Sequence, residues 1–375
     1  MSSRAALAPR KARPRPSLLR RVIAGMVLRK LLGHRWTREG AVDTDRFRIR
    51  VEDPVKLDRI RAILGAFFSG LELSLEGTGY AKDEAARLDA LHRPFFVEGA
   101  AMGVIPGSWT PLRREERVLR DFVAGIPPDD PHIILKHIGI GFWLGFGQSG
   151  PERALDRAAD LVDPAYRLLL HDGLGFKTGF FDLPRAFESW GRVAPSAADL
   201  ERSPEIRALR ELEGSARASA MSGLGRSLWF FSMDRPRPAF DTAHALGPDA
   251  GWVLGGLGLA AAYTFPDDLG VAYGAENLVV EAERPHFRKG IRIALYARRE
   301  NDAGALDGWM RSLPAALRER AESDLEIALQ AGMRTRGRAD FVPAFHAGCL
   351  GDAGGRTRDA GGRARDAGRR APRWW

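Results

Sequence analysis

Three ionisable residues stand where the surrounding sequence is apolar or glycine-rich. Glu98 interrupts Phe95-Phe96-Val97-Glu98-Gly99-Ala100-Ala101-Met102, Asp172 follows Leu168-Leu169-Leu170-His171, and Arg226 lies in Gly223-Leu224-Gly225-Arg226-Ser227-Leu228-Trp229-Phe230. Such settings predict burial. A buried charge without a partner costs several kcal/mol, so Arg226 is expected to pair with Asp172 or with Glu98. Two carboxyl groups and a guanidinium in apolar surroundings are the components of an acid/base and charge-stabilising site. His171 is the fourth candidate catalytic residue. Phe142, Trp143, Phe176, Trp229 and Tyr263 are the candidate walls of a substrate cavity. The same polar set also reads as an ion-pair network that holds helices in register. His171 is repeated by His137, which suits a packing or capping role.

Other chemistries find little support. Gly256-Leu257-Gly258-Leu259-Ala260-Ala261 imitates a dinucleotide fingerprint, but that mechanism needs a strand, a tight turn and a helix N-terminus facing pyrophosphate. This segment is instead one copy of a helical repeat. His132 and His137 are five apart, which does not place them on one helical face, and no His-Glu-x-x-His spacing occurs. Neither a Gly-x-Ser-x-Gly elbow nor a phosphate-binding loop is present. No cofactor and no metal are expected.

The elements that must position the candidates are helices. Asp53-Pro54, Asp163-Pro164 and Ser203-Pro204 are helix starts, because Asp or Ser accepts the free amide hydrogen bonds and Pro tolerates the first helical position. Leu57, Ile60, Leu64, Phe67, Phe68 and Leu71 form an apolar stripe after the first start, and Pro314 opens a similar pattern with Leu317, Ala321, Leu325 and Ala328. Arg46 to Val51 alternates and is the one candidate strand. Residues 134–146 and 168–180 are identical at seven of thirteen positions: Leu135/Leu169, His137/His171, Gly139/Gly173, Gly141/Gly175, Phe142/Phe176, Gly145/Gly179 and Phe146/Phe180. Further copies begin at Gly223, Gly256 and, degenerately, Gly290, so the starts are separated by 34, 50, 33 and 34 residues, with an insertion expected at 187–203. A period near 34 residues predicts a mainly α fold, an array of helical hairpins of solenoid or toroid type with at most a few short strands. Glycine in a helix interior costs roughly 1 kcal/mol relative to Ala. The paired glycines therefore imply either close approach of helix backbones or a surface on which a flat ligand lies. Gly99-Ala100-Ala101-Met102-Gly103 has the same small-residue character.

The net charge of +9 raises the question of nucleic acid, and its distribution argues against it. Residues 1–36 carry +10 and residues 350–375 carry +4, which leaves the body at −5. An acidic body is a poor phosphate-binding groove. The chain divides into a basic, partly helical arm over 1–36, a single repeat domain over 43–336, and an Arg/Gly-rich tail over 337–375 expected to be disordered. Within the arm, Leu18, Leu19, Val22, Ile23, Met26, Val27 and Leu31 recur at helical spacing among Arg and Lys. Residues 18–32 can thus dock on the body or lie on an anionic membrane surface. The single Cys349 excludes a disulfide framework within the chain and fits a reducing compartment. No apolar run reaches the roughly 20 residues of a membrane span, and a cytoplasmic location, with contact at the membrane surface through the arm, is expected.

Phe96-Val97-Glu98-Gly99-Ala100-Ala101-Met102-Gly103, Asp163-Pro164 with His171-Asp172-Gly173-Leu174-Gly175-Phe176 and Gly179-Phe180-Phe181, Gly223 to Phe230, and Gly258 to Tyr263 follow one another in the chain. Together they resemble the domain-of-unknown-function 1702 family, over about Arg46 to Arg336. Members of that family occur in bacterial specialised-metabolite gene sets, including those for enediyne polyketides. The resemblance implies a role in such biosynthesis and transfers no catalytic residue. Lys177 after the Gly-x-Gly-Phe motif and the Arg-rich tails depart from it. The resulting expectation is a protein that holds a long, unsaturated apolar polyketide or polyene intermediate in a helix-lined cavity and assists its cyclisation or modification. A non-catalytic scaffold that docks a polyketide synthase, a carrier or the intermediate is the alternative. A cyclase built like the helical isoprenoid cyclases is a third reading, and their acidic signatures are absent.

Overall fold

The computed structural model describes residues 44–76, 82–108, 115–146 and 151–351. The basic arm over 1–36, with its segment 18–32, and the end of the tail from 352 lie outside the described residues. Seven helices form the frame: α1 (Pro54–Leu75), α2 (Arg93–Ser108), α3 (Ile133–Leu144), α4 (Arg167–Lys177), α5 (Gly214–Ser232), α6 (Ala250–Thr264) and α7 (Arg284–Asn301). Each packs mainly on the one before and the one after. Two more, α8 (Ala315–Thr335) and α9 (Phe341–Leu350), complete the body.

The start signals act as their chemistry requires. The Asp53 carboxylate accepts from Val55 N and Lys56 N at 2.9 and 3.2 Å, Asp163 from Ala165 N at 2.9 Å, and Ser203 Oγ from Ile206 N at 3.3 Å. Neighbouring frame helices run parallel, because the residues that face one another advance together. Gly99, Gly103 and Gly107 of α2 meet Phe67, Leu71 and Ser74 of α1, while Ser219 and Gly223 of α5 meet Leu168 and Asp172 of α4. Parallel neighbours need return segments. These include the helices Glu115–Ala124, Pro151–Ala159, Arg237–Ala245, Gly270–Glu276 and Ala303–Ser312. They are short and one-sided: Glu115–Ala124 buries Val118 and Leu119, and Ala303–Ser312 buries Leu306 and Met310.

The paired glycines set the distance between frame helices. Positions two apart on a helix point to nearly opposite sides, so each Gly-x-Gly meets both neighbours. A Cβ on Gly173 would lie 2.2 Å from the Ile138 carbonyl of α3, and one on Gly175 would lie 1.8 Å from the Ala220 carbonyl of α5. The rule repeats. Gly139 meets Glu98 and Gly141 meets Leu170; Gly223 meets Asp172 and Gly225 meets Val253; Gly256 meets Ser222 and Gly258 meets Phe287. Backbones this close can make Cα–H···O contacts, worth about 0.5–1 kcal/mol each, which offset the intrinsic cost of helical glycine. In the degenerate last copy Gly290 still meets Gly255, but Arg292 replaces the second glycine. Its Nε donates to Asp324 Oδ1 of α8 at 2.7 Å and its Nη1 to the Cys349 carbonyl at 2.9 Å. The close-packed series ends there.

The stack curls on itself. Arg298 of α7 is fully buried and its Nη1 donates to the carbonyls of Ala90 and Leu91, just before α2, at 3.0 and 3.1 Å. Phe95 of α2 meets Tyr263 of α6 with ring centroids 5.5 Å apart. Arg59 of α1 pairs with Asp267 beyond α6 at 2.7 Å.

Two expectations are corrected. Arg46 to Val51 forms no strand: Thr44–Phe47 is a 3-10 helix, and the chain then runs on irregularly, with no strand among the described residues. Its alternation reflects Ile49 and Val51, each buried against the helices. The body also extends beyond 336. Phe341, Val342, Phe345 and Cys349 bury one face of α9 in a cluster with Ile138, Leu169 and Ile293 of the frame, and this apolar face orders a segment assigned to the disordered tail. The expected insertion after α4 contains the irregular stretch 187–196 and the short helix Ala197–Arg202 before Ser203.

Two glycines test the spacing rule. Gly175→Ala should lower stability by about 3 kcal/mol or more, since backbone rather than a flexible side chain must yield. Gly65→Ala on α1, where a Cβ meets nothing within 4 Å, should raise stability by about 0.5–1 kcal/mol. Urea denaturation of both variants measures the contrast, and equal effects would refute the rule.

Candidate functional site

The residue before the first glycine of each copy and the residue three after it lie four apart, so both face the inside of the curl. The preceding slots hold Glu98, Ile138, Asp172, Ser222, Gly255 and Lys289, and the following slots Met102, Phe142, Phe176, Arg226, Leu259 and Ile293. The curl brings α2, α4 and α5 together around one set of charges. Arg226 Nη2 lies 2.7 Å from Asp172 Oδ1 and 3.6 Å from Glu98 Oε1, with all three side chains buried. The 2.7 Å approach is off the line of a good hydrogen bond, which leaves Arg226 Nε and Nη2 and Asp172 Oδ1 without well-aligned partners. The guanidinium also lies over the Phe176 ring, 4.9 Å from its centroid. The sequence expectation of Arg226 pairing is met by both candidates.

Burial dominates the protonation of this group. It pushes the Glu98 carboxyl up to about 7, with Asp172 adding to the rise and Arg226 opposing it. Asp172 is also raised by burial, against the attraction of Arg226 and a hydrogen bond from Ser222. Burial alone would lower Arg226, but the two carboxyls hold its proton more tightly than usual. Below pH 7 Glu98 is therefore mainly protonated, while burial and the Arg226 guanidinium act on Asp172 in opposite directions.

Glu98 and Arg226 open onto a cavity whose other walls are almost wholly hydrocarbon. Ile63, Leu64, Phe67 and Phe68 come from α1, Phe95 from α2, Phe142 from α3, Phe176 from α4, Phe230 from α5, and Leu259, Ala260, Tyr263 and Thr264 from α6. A π-helical turn, Thr178–Asp182, continues α4 and adds Phe180 and Phe181. The free space is about 30 Å³, room for about two water molecules. Tyr263 presents its ring while its hydroxyl donates to Asn301 Oδ1 at 2.6 Å, and burial raises its phenol well above the usual range.

The predicted set divides accordingly. Glu98, Asp172 and Arg226 meet; Phe142, Phe176 and Tyr263 line the cavity. Trp229 does not line it, being buried with Nε1 donating to Thr264 Oγ1 at 3.1 Å, and Trp143 packs near Phe146 away from the walls. His171 lies apart from the cavity, its Nδ1 buried without a hydrogen-bond partner, whereas His137 Nδ1 lies 2.7 Å from the Ile133 carbonyl one turn back. Burial keeps both imidazoles below their ordinary value, hence neutral. Phe67, Phe68, Phe180, Phe181 and Phe230 were missed as walls. The signal for the first two was the stripe after Asp53, and for Phe180 and Phe181 the Gly179-Phe180-Phe181 motif.

Among the described residues no group of His, Cys, Asp and Glu could hold a metal ion, and no helix is long and apolar enough to cross a membrane. Fold and site together define a curled array of parallel helices with a buried ion trio at an aromatic cavity. The family model described as "Protein of unknown function (DUF1702)" matches residues 27–302, and the chain belongs to that family. The match ends where α7 ends, so α8 and α9 lie beyond it. No curated protein and no solved structure matches the chain.

The raised Glu98 makes a signed prediction. Its folded value of about 7 lies above the ordinary 4.5, so the unfolded chain releases this proton first and stability falls as pH rises from about 4.5 to 7. The loss is about 3 kcal/mol. Glu98→Gln mimics the protonated form and should flatten this part of the pH–stability curve while gaining stability at pH 8. An unchanged slope in the Gln variant would show that Glu98 is not the group responsible.

Proposed function

We propose that this protein binds a long, unsaturated, largely apolar molecule of polyketide or polyene type in the aromatic cavity and assists its cyclisation or modification, in bacterial specialised metabolism of the enediyne kind. The observation that carries the reading is Glu98. A carboxyl poised near neutrality on an otherwise hydrocarbon wall is suited to give a proton to, or take one from, an apolar substrate. Arg226 stabilises negative charge that develops beside it, and Asp172 holds Arg226 in place. The aromatic faces match the π-surface of a conjugated chain. The basic segment 18–32 supplies contact with an anionic membrane surface, where such a substrate would partition.

Entry requires movement, because about 30 Å³ is far less than such a chain occupies. The π-helical turn carrying Phe180 and Phe181 is the segment best suited to yield, since its wider turns are rare and marginal in energy. The small free volume equally favours the second reading, in which the array is a non-catalytic scaffold that docks a polyketide synthase, a carrier or the apolar intermediate.

A linear conjugated polyene acid, whose absorbance and fluorescence report both burial and loss of conjugation, separates the two. Binding with conversion by the natural protein, reduced about a hundredfold or more in Glu98→Gln with affinity kept, is the catalytic outcome. In vivo, Asp172→Asn and Arg226→Met should abolish metabolite production. Survival of production with reduced thermal stability in those variants would make the trio structural.

A further inference from the structure

Lys289 forms a second chemical centre, outside the Glu98 cavity, whose lining does not include it. The chain has seven lysines against fifty arginines. Of these, Lys136 pairs with Asp130 at 2.5 Å and Lys177 with Asp182 at 2.7 Å. Lys289 is 4% exposed and has no carboxylate partner or hydrogen-bond acceptor among the described residues. Its neighbour is the half-exposed ring of Trp252, with Nζ 4.4 Å from the centroid.

The slot is built by three helices. His286 and Lys289 are one turn apart on α7, and Gly251 and Gly255 are one turn apart on the facing side of α6. A Cβ on Gly251 would lie 3.0 Å from the His286 ring, and one on Gly255 would lie 3.0 Å from Lys289 Cε and 3.2 Å from Nζ. The two glycines thus clear space for these two side chains. From α9 come His346 and Cys349, which interact electrostatically with the lysine. Burial keeps both imidazoles neutral and pushes the Cys349 thiol up to about 12, so neither supplies a counter-charge. Arg292, the remaining cation nearby, is held by Asp324 and by the Cys349 carbonyl.

We propose that Lys289 is a nucleophilic amine that captures an aldehyde or ketone on an apolar chain as an imine, with Trp252 as the roof of the entry. The free Nζ attacks the carbonyl carbon to give a carbinolamine. Its nitrogen then loses its remaining proton, the carbonyl oxygen leaves as water, and a C=N bond forms, with no change of oxidation state. A neutral imidazole, His286, one turn from Lys289 on the same face of α7, can carry the proton from nitrogen to the departing oxygen. Burial also lowers Lys289 to about 8, which leaves a useful fraction of free amine near neutral pH where an ordinary lysine has almost none. This centre is independent of the Glu98 reading and can stand or fall without it.

The test is reductive labelling of the full-length protein with pentanal and sodium cyanoborohydride near neutral pH, followed lysine by lysine by peptide mass spectrometry. Lys289 should be labelled about tenfold faster or more than the half-buried Lys56. Lys289→Arg should lose the fast adduct while its circular dichroism spectrum stays that of the natural protein. Labelling of Lys289 no faster than Lys56, or only after denaturation, would overturn the proposal and leave the lysine a packing residue against Trp252.

Discussion

The approach of parallel helix backbones at glycine governs the rest of this structure. Because Gly-x-Gly presents hydrogen to both neighbours, a helix from the middle of the series is held closely on two sides at once. The result is a series in which each unit depends on the next. Its inner face gains the consequence: side chains one step before and three steps after the first glycine have nowhere to point except into the curl.

That geometry explains why a polar group persists in a core that is otherwise phenylalanine and leucine. Slots in neighbouring units are close enough for Arg226 and Asp172 to touch, and the curl adds Glu98 from two helices before α4. Two carboxyls sharing one guanidinium cannot both ionise cheaply in such a place, so one proton stays on the group. Burial by α1 makes the effect stronger, since its Phe67 and Phe68 help close the cavity onto which Glu98 and Arg226 open. Lys289 lies outside that cavity, on the part of the array that α9 covers. One architecture thus creates two low-dielectric environments with opposite charge preference.

The parts legible in the sequence are those set by short-range chemistry. Asp53, Asp163 and Ser203 announce helix starts because a side-chain acceptor two or three residues from a free amide is a local matter. The glycine period gave the helical array, and the exceptions to the repeat, Asp172 and Arg226, gave two members of the trio. The failures have physical causes too. Ile49 and Val51 alternate as a strand would, yet they are buried by helices, and the described residues hold no strand for them to pair with. Trp229 looked like a cavity wall, but its side chain lies within the packing between α5 and α6, bonded to Thr264.

The sequence by itself determined the helices, the period at which glycines recur along them, and the fact that a few charges must share an apolar interior. Only the tertiary structure decided which charges meet, because that depends on how sharply the stack curls. Glu98 and Arg226 are separated by two intervening frame helices and more than a hundred residues, and no local pattern encodes their 3.6 Å approach. The ordering of α9, its contact with Arg292 through the Cys349 carbonyl, and the filling of the cavity by Phe180 and Phe181 belong to the same class. They follow from the summed packing of distant faces, which the spacing of residues along the chain does not carry.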